Sequence, residues 1–510
     1  MSDESVAKLL RSREHLVVIE AAAGCGKTFQ GAAYAQAVIG DLGDGRLLIL
    51  THTHAACSVF ANRTRTAGSR VEIKTIDALI AQIALAYHKP LELPRNLTSW
   101  AWQNGGQGFE IMAAKVAAFL RHQPMVARAL ARRYPCIICD EYQDSSFDQH
   151  AVVMALLSAG AVVRIFGDPM QRIYGAKSDK AAREDRRRWE TLKALGVSEK
   201  LMIPHRWKDG CPRLGQWIVR ARENLECGAP IDLTDDDIPQ SVRVLKGDNK
   251  SFKRTGYQLT KDHRAPIDKV LQANPQLMIL ASQNELVTAL RAFWGRKVPI
   301  WEGHTREALG ALVQTVRESQ GNAESLAHGI IAFMGSVAAG FSPSSHGDRL
   351  IQEVRTGAGC STIGKPANIQ AIARCLVKDP THTGVSEALS MISTLVNEGA
   401  AGFDTVKIDH RSELREAIRI GQFAGVDEGF AELSRMRSYS HPSPPKKVLS
   451  SIHKAKGLEC DHAMLMACGK AQFTSTMYAR SKMYVALSRA KKSLTLVVPT
   501  SGFSPLLKMS

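Results

Sequence analysis

The sequence predicts an α/β protein built on parallel sheets, and three observations carry that expectation. Short apolar runs suited to buried strands recur between segments of helical composition: Leu16-Val-Val-Ile19, Arg46-Leu-Leu-Ile-Leu50, Val71-Glu-Ile-Lys-Thr-Ile76, Pro135-Cys-Ile-Ile-Cys139 and Ala161-Val-Val-Arg-Ile-Phe166. A glycine-containing loop, Glu20-Ala-Ala-Ala-Gly-Cys-Gly-Lys-Thr28, joins the first run to the helical stretch Gly31-Ala-Ala-Tyr-Ala-Gln-Ala-Val-Ile39. Polar and charged residues gather directly after the runs, where open parallel sheets keep their ligand crevices.

Strand, glycine loop and helix form the setting of a phosphate-binding loop. Backbone N–H groups of Ala22, Ala23, Gly24, Cys25 and Gly26 would turn inward around phosphates, aided by the positive end of the helix. Lys27 would reach the β/γ-phosphates and Thr28 would hold Mg²⁺ through its hydroxyl. Ala21 stands where the G-x-x-x-x-G-K-[ST] pattern begins with glycine. A plain glycine turn opening a helix would read much the same, so the rest of the chain has to decide.

At 510 residues the chain is long enough for several domains, and 66 Lys+Arg against 49 Asp+Glu gives a net charge of +17. That balance suits a polyanionic partner such as nucleic acid, although a basic excess also serves solubility. Cys136 and Cys139 have C-x-x-C spacing inside an apolar strand with no second pair nearby, which reads as buried thiols rather than a zinc site. The start Met1-Ser-Asp-Glu has no signal-peptide profile, and the run 329–341 is too short and glycine-rich to span a bilayer. A soluble protein of the reducing cytoplasm, without a membrane partner, is expected.

Taken in order, the second run ends in Thr51-His-Thr-His54 and the third in Thr75 and Asp77. Thr51, Thr53, His54 and Thr75 would contact a nucleic-acid backbone there, or the threonines would simply cap helices. Residues 88–134, with Trp100, Trp102, a Gly-Gly pair and a helix expected over 109–121, interrupt the rhythm as an insertion. Its arginines Arg121, Arg128, Arg132 and Arg133 would face DNA or form a solvated surface. The next strand ends in Asp140-Glu-Tyr-Gln-Asp144. A nucleotide hydrolase needs one strand-end carboxylate for Mg²⁺ and a second to activate water. Asp140 suits the metal and Glu141 the base.

With the following stretch, Gly167-Asp-Pro-Met-Gln-Arg-Ile-Tyr174, the chain resembles a superfamily 1A helicase of the UvrD/PcrA/Rep kind. The later motifs agree: Pro204-His-Arg206 resembles the fourth, Val448 to Glu459 the fifth (T-x-H-x-x-K-G-L-E), and Tyr484-Val-Ala-Leu-Ser-Arg-Ala490 the sixth. The resemblance implies two RecA-like P-loop NTPase domains with parallel sheets plus two mainly helical insertions. Residues 1–87 and 135–203 would form domain 1A, 88–134 a short 1B-like insertion, 204–304 and 446–510 domain 2A, and 305–445 a helical 2B-like insertion with a Pro/Ser linker. It further implies an ATP-dependent motor moving 3′→5′ on single-stranded or tailed duplex DNA, in DNA repair or genome defence. Gln171 would link the γ-phosphate to the DNA side, and Arg206 and Arg489 would act as arginine fingers. Gly457 and Glu459 would complete the nucleotide site, and Tyr174 and His453 would touch DNA. The rival reading is a DNA-responsive ATPase subunit that senses or loads for a partner such as a nuclease or a repair or defence factor.

Three departures stand out. Segment 1–19 lacks the glutamine that reads adenine in the family, leaving base selectivity open. The tryptophan after the third motif is Ala176, so a base-stacking platform is missing and poor unwinding is expected. Asp77 replaces a phosphate-facing histidine. With the chain ending at Ser510, no appended nuclease is expected.

Overall fold

An unbroken apolar run, unlike an alternating one, calls for a strand covered on both faces, and that is how Leu16–Ala21 (β1) is used: Val17, Val18 and Ile19 are wholly buried. The computed structural model describes residues 3–104, 107–175, 179–251, 256–302, 306–359, 362–439 and 444–509. Beside β1 lie Leu47–Thr51 (β2), Val71–Thr75 (β3), Cys136–Cys139 (β4), Val162–Gly167 (β5) and Val197–Leu201 (β6), in the order β3-β2-β4-β5-β1-β6. All pairings in this sheet are parallel. The loops after β4, β5 and β1 therefore leave neighbouring strands at one edge, about 4.8 Å apart per strand. Cys136 and Cys139 are buried free thiols in β4.

A second parallel sheet holds Val242–Lys246 (β7), Leu277–Ala281 (β8), Lys447–Ser451 (β9), Cys460–Leu465 (β10) and Ala490–Val498 (β11), in the order β9-β8-β10-β11-β7. Both sheets belong to one compact unit made of residues 1–93, 110–301 and 443–510. Trp207 is fully buried where they meet, its indole N–H donating to Ala490 O at 2.6 Å.

Residues 94–109 and 302–442 form the second unit. Its helix Ala323–Val337 buries Leu326, Ile330, Phe333 and Val337, the spacing of one helical face, in a core shared with Leu389, Ile392 and Phe403. The stretch 88–134, expected as one insertion, divides. Leu97–Gln103 packs on Val426–Tyr439 of the helical unit, whereas Pro124–Arg133 packs on Phe147–Ser158 beside the first sheet. Leu97 and Ala101 are buried in the one setting, Ala127 and Ala131 in the other. Among the described residues no helix is long and apolar enough to cross a membrane.

The arginine-rich helix Asp179–Leu195 is tied to the protein by ion pairs. Arg172 and Arg188 bracket Asp185, and Arg186 pairs with Glu226 at 3.1 Å.

Candidate functional site

The loop after β1 turns through Gly24 and Gly26 with φ of +70° and +88°, the left-handed region glycine enters without penalty. At Gly24 a Cβ would lie 2.7 Å from the Arg206 Cβ and 2.8 Å from Trp207, so no other residue fits. The helix Lys27–Val38 starts there, with Thr28 half-buried in its first turn. Ala22, Ala23 and Cys25 are buried, and Ala23 N–H donates to the Tyr484 hydroxyl at 2.7 Å.

Lys27 is 8% exposed and lies 3.3 Å from Glu141 Oε1. Burial would lower its pKa, but Glu141, Asp168 and Asp140 hold it raised. Asp140 is buried at the end of β4, and its Oδ1 has no hydrogen-bond partner. Burial and the Glu141 charge push its carboxyl up. Glu141 goes the other way: burial would raise it, yet Lys27, Lys456 and the Gln143 amide, 2.5 Å away, hold it low. Its backbone is left-handed, φ 51° and ψ 38°. An oxygen left unpaired in a buried carboxylate, beside a glycine cradle, fits a divalent cation held with Thr28.

Gln171 donates to Asp168 Oδ2 at 2.9 Å, and Asp168 accepts from Arg222 at 2.8 Å. Arg222 is 1% exposed and also pairs with Glu20 at 3.0 Å and Glu226 at 2.9 Å. It locks the phosphate-loop strand to the third motif. Replacing it with Met would take the ion-pair partner from the buried Asp168, while Glu20 would keep Lys193 at 3.6 Å and Lys200 at 3.5 Å, so Arg222→Met should cost about 3–5 kcal/mol of stability. Urea unfolding measures this, and an unchanged midpoint would show that the network carries no stability.

In the turn after β6, the Arg206 backbone N–H donates to Gly24 O at 3.1 Å, while its guanidinium reaches Ser488 O at 2.8 Å and Glu459 at 2.7 Å, both on the side of the second sheet. Arg489 is 2% exposed and its guanidinium bonds Val485 O, Leu458 O and the Ser488 hydroxyl. Burial first, then Arg206, lowers its pKa to about 10. Gly457 sits at φ +83° between Lys456 and Glu459. Lys456 pairs with Asp144 at 2.5 Å, a link between fifth and second motifs that no residue near either one signals. Thus Lys27, Asp140, Glu141, Gly24, Arg206 and Glu459 come together at the glycine loop.

The other expected ligand residues behave differently. The Thr53 and Thr75 hydroxyls accept from Ala56 N–H and Ala78 N–H as helix caps, and the Thr51 hydroxyl donates to Thr53 O at 3.0 Å. His54 opens the helix His54–Arg63, and its side chain is outside the described residues, as is Ala176. Asp77 accepts from Gln149 at 2.6 Å. Tyr174 is 46% exposed and donates to His453 O at 2.9 Å.

Comparison with known proteins agrees with this geometry. Residues 91–180 match the UvrD/REP helicase N-terminal domain, and residues 447–497 match the UvrD-like helicase C-terminal domain. A stretch of 94 residues is 32% identical to the ATP-dependent DNA helicase srs2 of Schizosaccharomyces pombe, covering 18% of this chain and 10% of that protein's length. Over these two segments the chain is similar to UvrD-type helicases, and its two parallel sheets, with the glycine loop and its carboxylates on the first and Arg489 immediately before a strand of the second, accord with that likeness.

Proposed function

We propose that the protein is an ATP-driven motor on single-stranded DNA that moves 3′→5′ and couples hydrolysis to stepping of the strand. The observation that carries this reading is the meeting of Lys27, Asp140, Glu141 and Arg206 at the glycine loop. Asp140 and Thr28 would hold Mg²⁺, which when bound neutralises charge on the transferring phosphoryl group. Lys27 would exchange Glu141 for phosphate oxygens. Glu141, so released, would take the proton of the attacking water at Oε1. Arg206 and Arg489 would stabilise the charge that spreads over the phosphoryl oxygens, and Gln171 would report it to the DNA side. Buried free thiols such as Cys139 and Cys468 support a reducing, cytoplasmic setting. The direction is carried by the family resemblance.

The test is ATP turnover with and without single-stranded DNA, run beside displacement of a short 3′-tailed duplex, which a motor that unwinds long duplexes poorly still separates. Turnover that rises with single strands together with displacement supports the motor. Turnover without displacement supports a loader or sensor, and no turnover in either condition rejects both. Single-strand affinity should fall steeply with salt, at a log–log slope of about −0.7 per phosphate contacted. A flat titration would mean that the net charge of +17 is not spent on nucleic acid.

A further inference from the structure

Beside the nucleotide cleft three ring side chains stand in a row. Tyr174 and His453 have centroids 6.2 Å apart, and His453 and Tyr478 6.0 Å apart. Hydrogen bonds fix the row. Tyr174 O–H donates to His453 O at 2.9 Å, and His453 Nε2 faces both Ile173 O at 3.2 Å and the Tyr478 hydroxyl at 2.7 Å. A carbonyl can only accept, so Nε2 carries the proton and the Tyr478 oxygen accepts. Lys456 lies 4.8 Å from the centre of the Tyr174 ring and Lys482 5.4 Å from that of Tyr478. Neither lysine is spare: Lys456 is paired with Asp144, and Lys482, 5% exposed, donates to Ser282 O at 2.7 Å. They brace the rings by cation–π attraction rather than reach for phosphates. Tyr478 also opens the helix Met477–Leu487 whose later turn carries Tyr484, the residue bonded to the phosphate loop. Six residues of helix, about 9 Å, join ring row and nucleotide site.

We propose that Tyr478 completes a base-stacking platform with Tyr174 and His453 for single-stranded nucleic acid, and this rests on the single-strand motor reading. Every base has a π-face, so a ring row of this kind holds a strand without reading its sequence. Only Tyr174 and His453 are implied by the motifs. Tyr478 lies upstream of the sixth and belongs to none of them.

The experiment is fluorescence anisotropy of the full chain with a labelled oligothymidylate and with an abasic strand of equal length. Tyr478→Leu should weaken oligothymidylate binding at least fivefold, the lower end of what one stacked base contributes, and leave the salt slope unchanged. Tyr478→Phe, which keeps the ring, should bind within threefold of wild type. On the abasic strand wild type and Tyr478→Leu should bind alike. Equal binding of oligothymidylate by wild type and Tyr478→Leu overturns the proposal. So does an equal loss on both strands, which is what damaged structure would give. Should Tyr478→Leu fail to fold, Tyr478→Trp replaces it. Its added indole fluorescence should be quenched by the base-bearing strand and not by the abasic one, and the absence of that difference overturns the proposal. A wild-type chain that binds neither strand rejects the motor reading itself, and the proposal with it.

Discussion

Lys27→Ala should abolish ATP turnover, a loss of at least about 10²–10³-fold given what a single stabilising donor contributes in a water-excluded site. The side chain is buried and paired with Glu141, so its removal deletes both the phosphate ligand and the cation that balances two adjacent carboxylates. Single-strand binding should survive, because the ring row lies on other elements. Glu141→Gln separates the two roles. Glutamine keeps the shape and still leaves Asp140 for the metal, but it cannot take a proton. ATP should bind and remain uncleaved, which filter binding of labelled nucleotide followed by product analysis would show. Near wild-type hydrolysis by Glu141→Gln would remove Glu141 as the base.

The second large effect is expected at the arginines. Arg206→Ala and Arg489→Ala should each slow turnover by about 10³-fold or more, the range of arginine fingers, while nucleotide affinity falls far less. The two positions predict different side effects. Arg206 is held by Glu459 and Ser488 O at the cleft, so its loss should leave stability almost unchanged. Arg489 satisfies the carbonyls of Leu458 and Val485 in the interior. Its removal should add roughly 1–3 kcal/mol of destabilisation for an unsatisfied buried group. Turnover and urea unfolding, measured on the same samples, separate the contributions. An intact rate in Arg489→Ala would take the second sheet's finger out of the chemistry.

What the sequence disclosed follows from how local each feature is. The strands and their loops are spelled by contiguous residues, so Leu16–Ala21, the glycine loop and Asp140–Glu141 could be read directly, and parallel pairing then forces those loops to one edge. The bond between Lys456 and Asp144 spans 312 residues, and nothing in either neighbourhood announces it. Arg222 did leave a trace. In the helix Pro212–Cys227 it falls four residues after Ile218 and three before Leu225, on the same buried stripe, and an arginine there demands buried carboxylates. The division of 88–134 was not legible, because each half is apolar on one face and only the fold decides which core receives it. Nothing marks Tyr478, because a lone tyrosine in the first turn of a helix belongs to no motif.

The left-handed backbone at Glu141 has an evolutionary consequence. A side chain at φ 51° costs about 1–2 kcal/mol that glycine would not incur. The strain is outweighed by the pair that Glu141 makes with the buried Lys27 at 3.3 Å, whose loss would cost about 3–5 kcal/mol. Laboratory selection for thermal resistance alone would therefore select against Glu141→Gly, and the glutamate would persist even in a lineage from which no turnover is demanded.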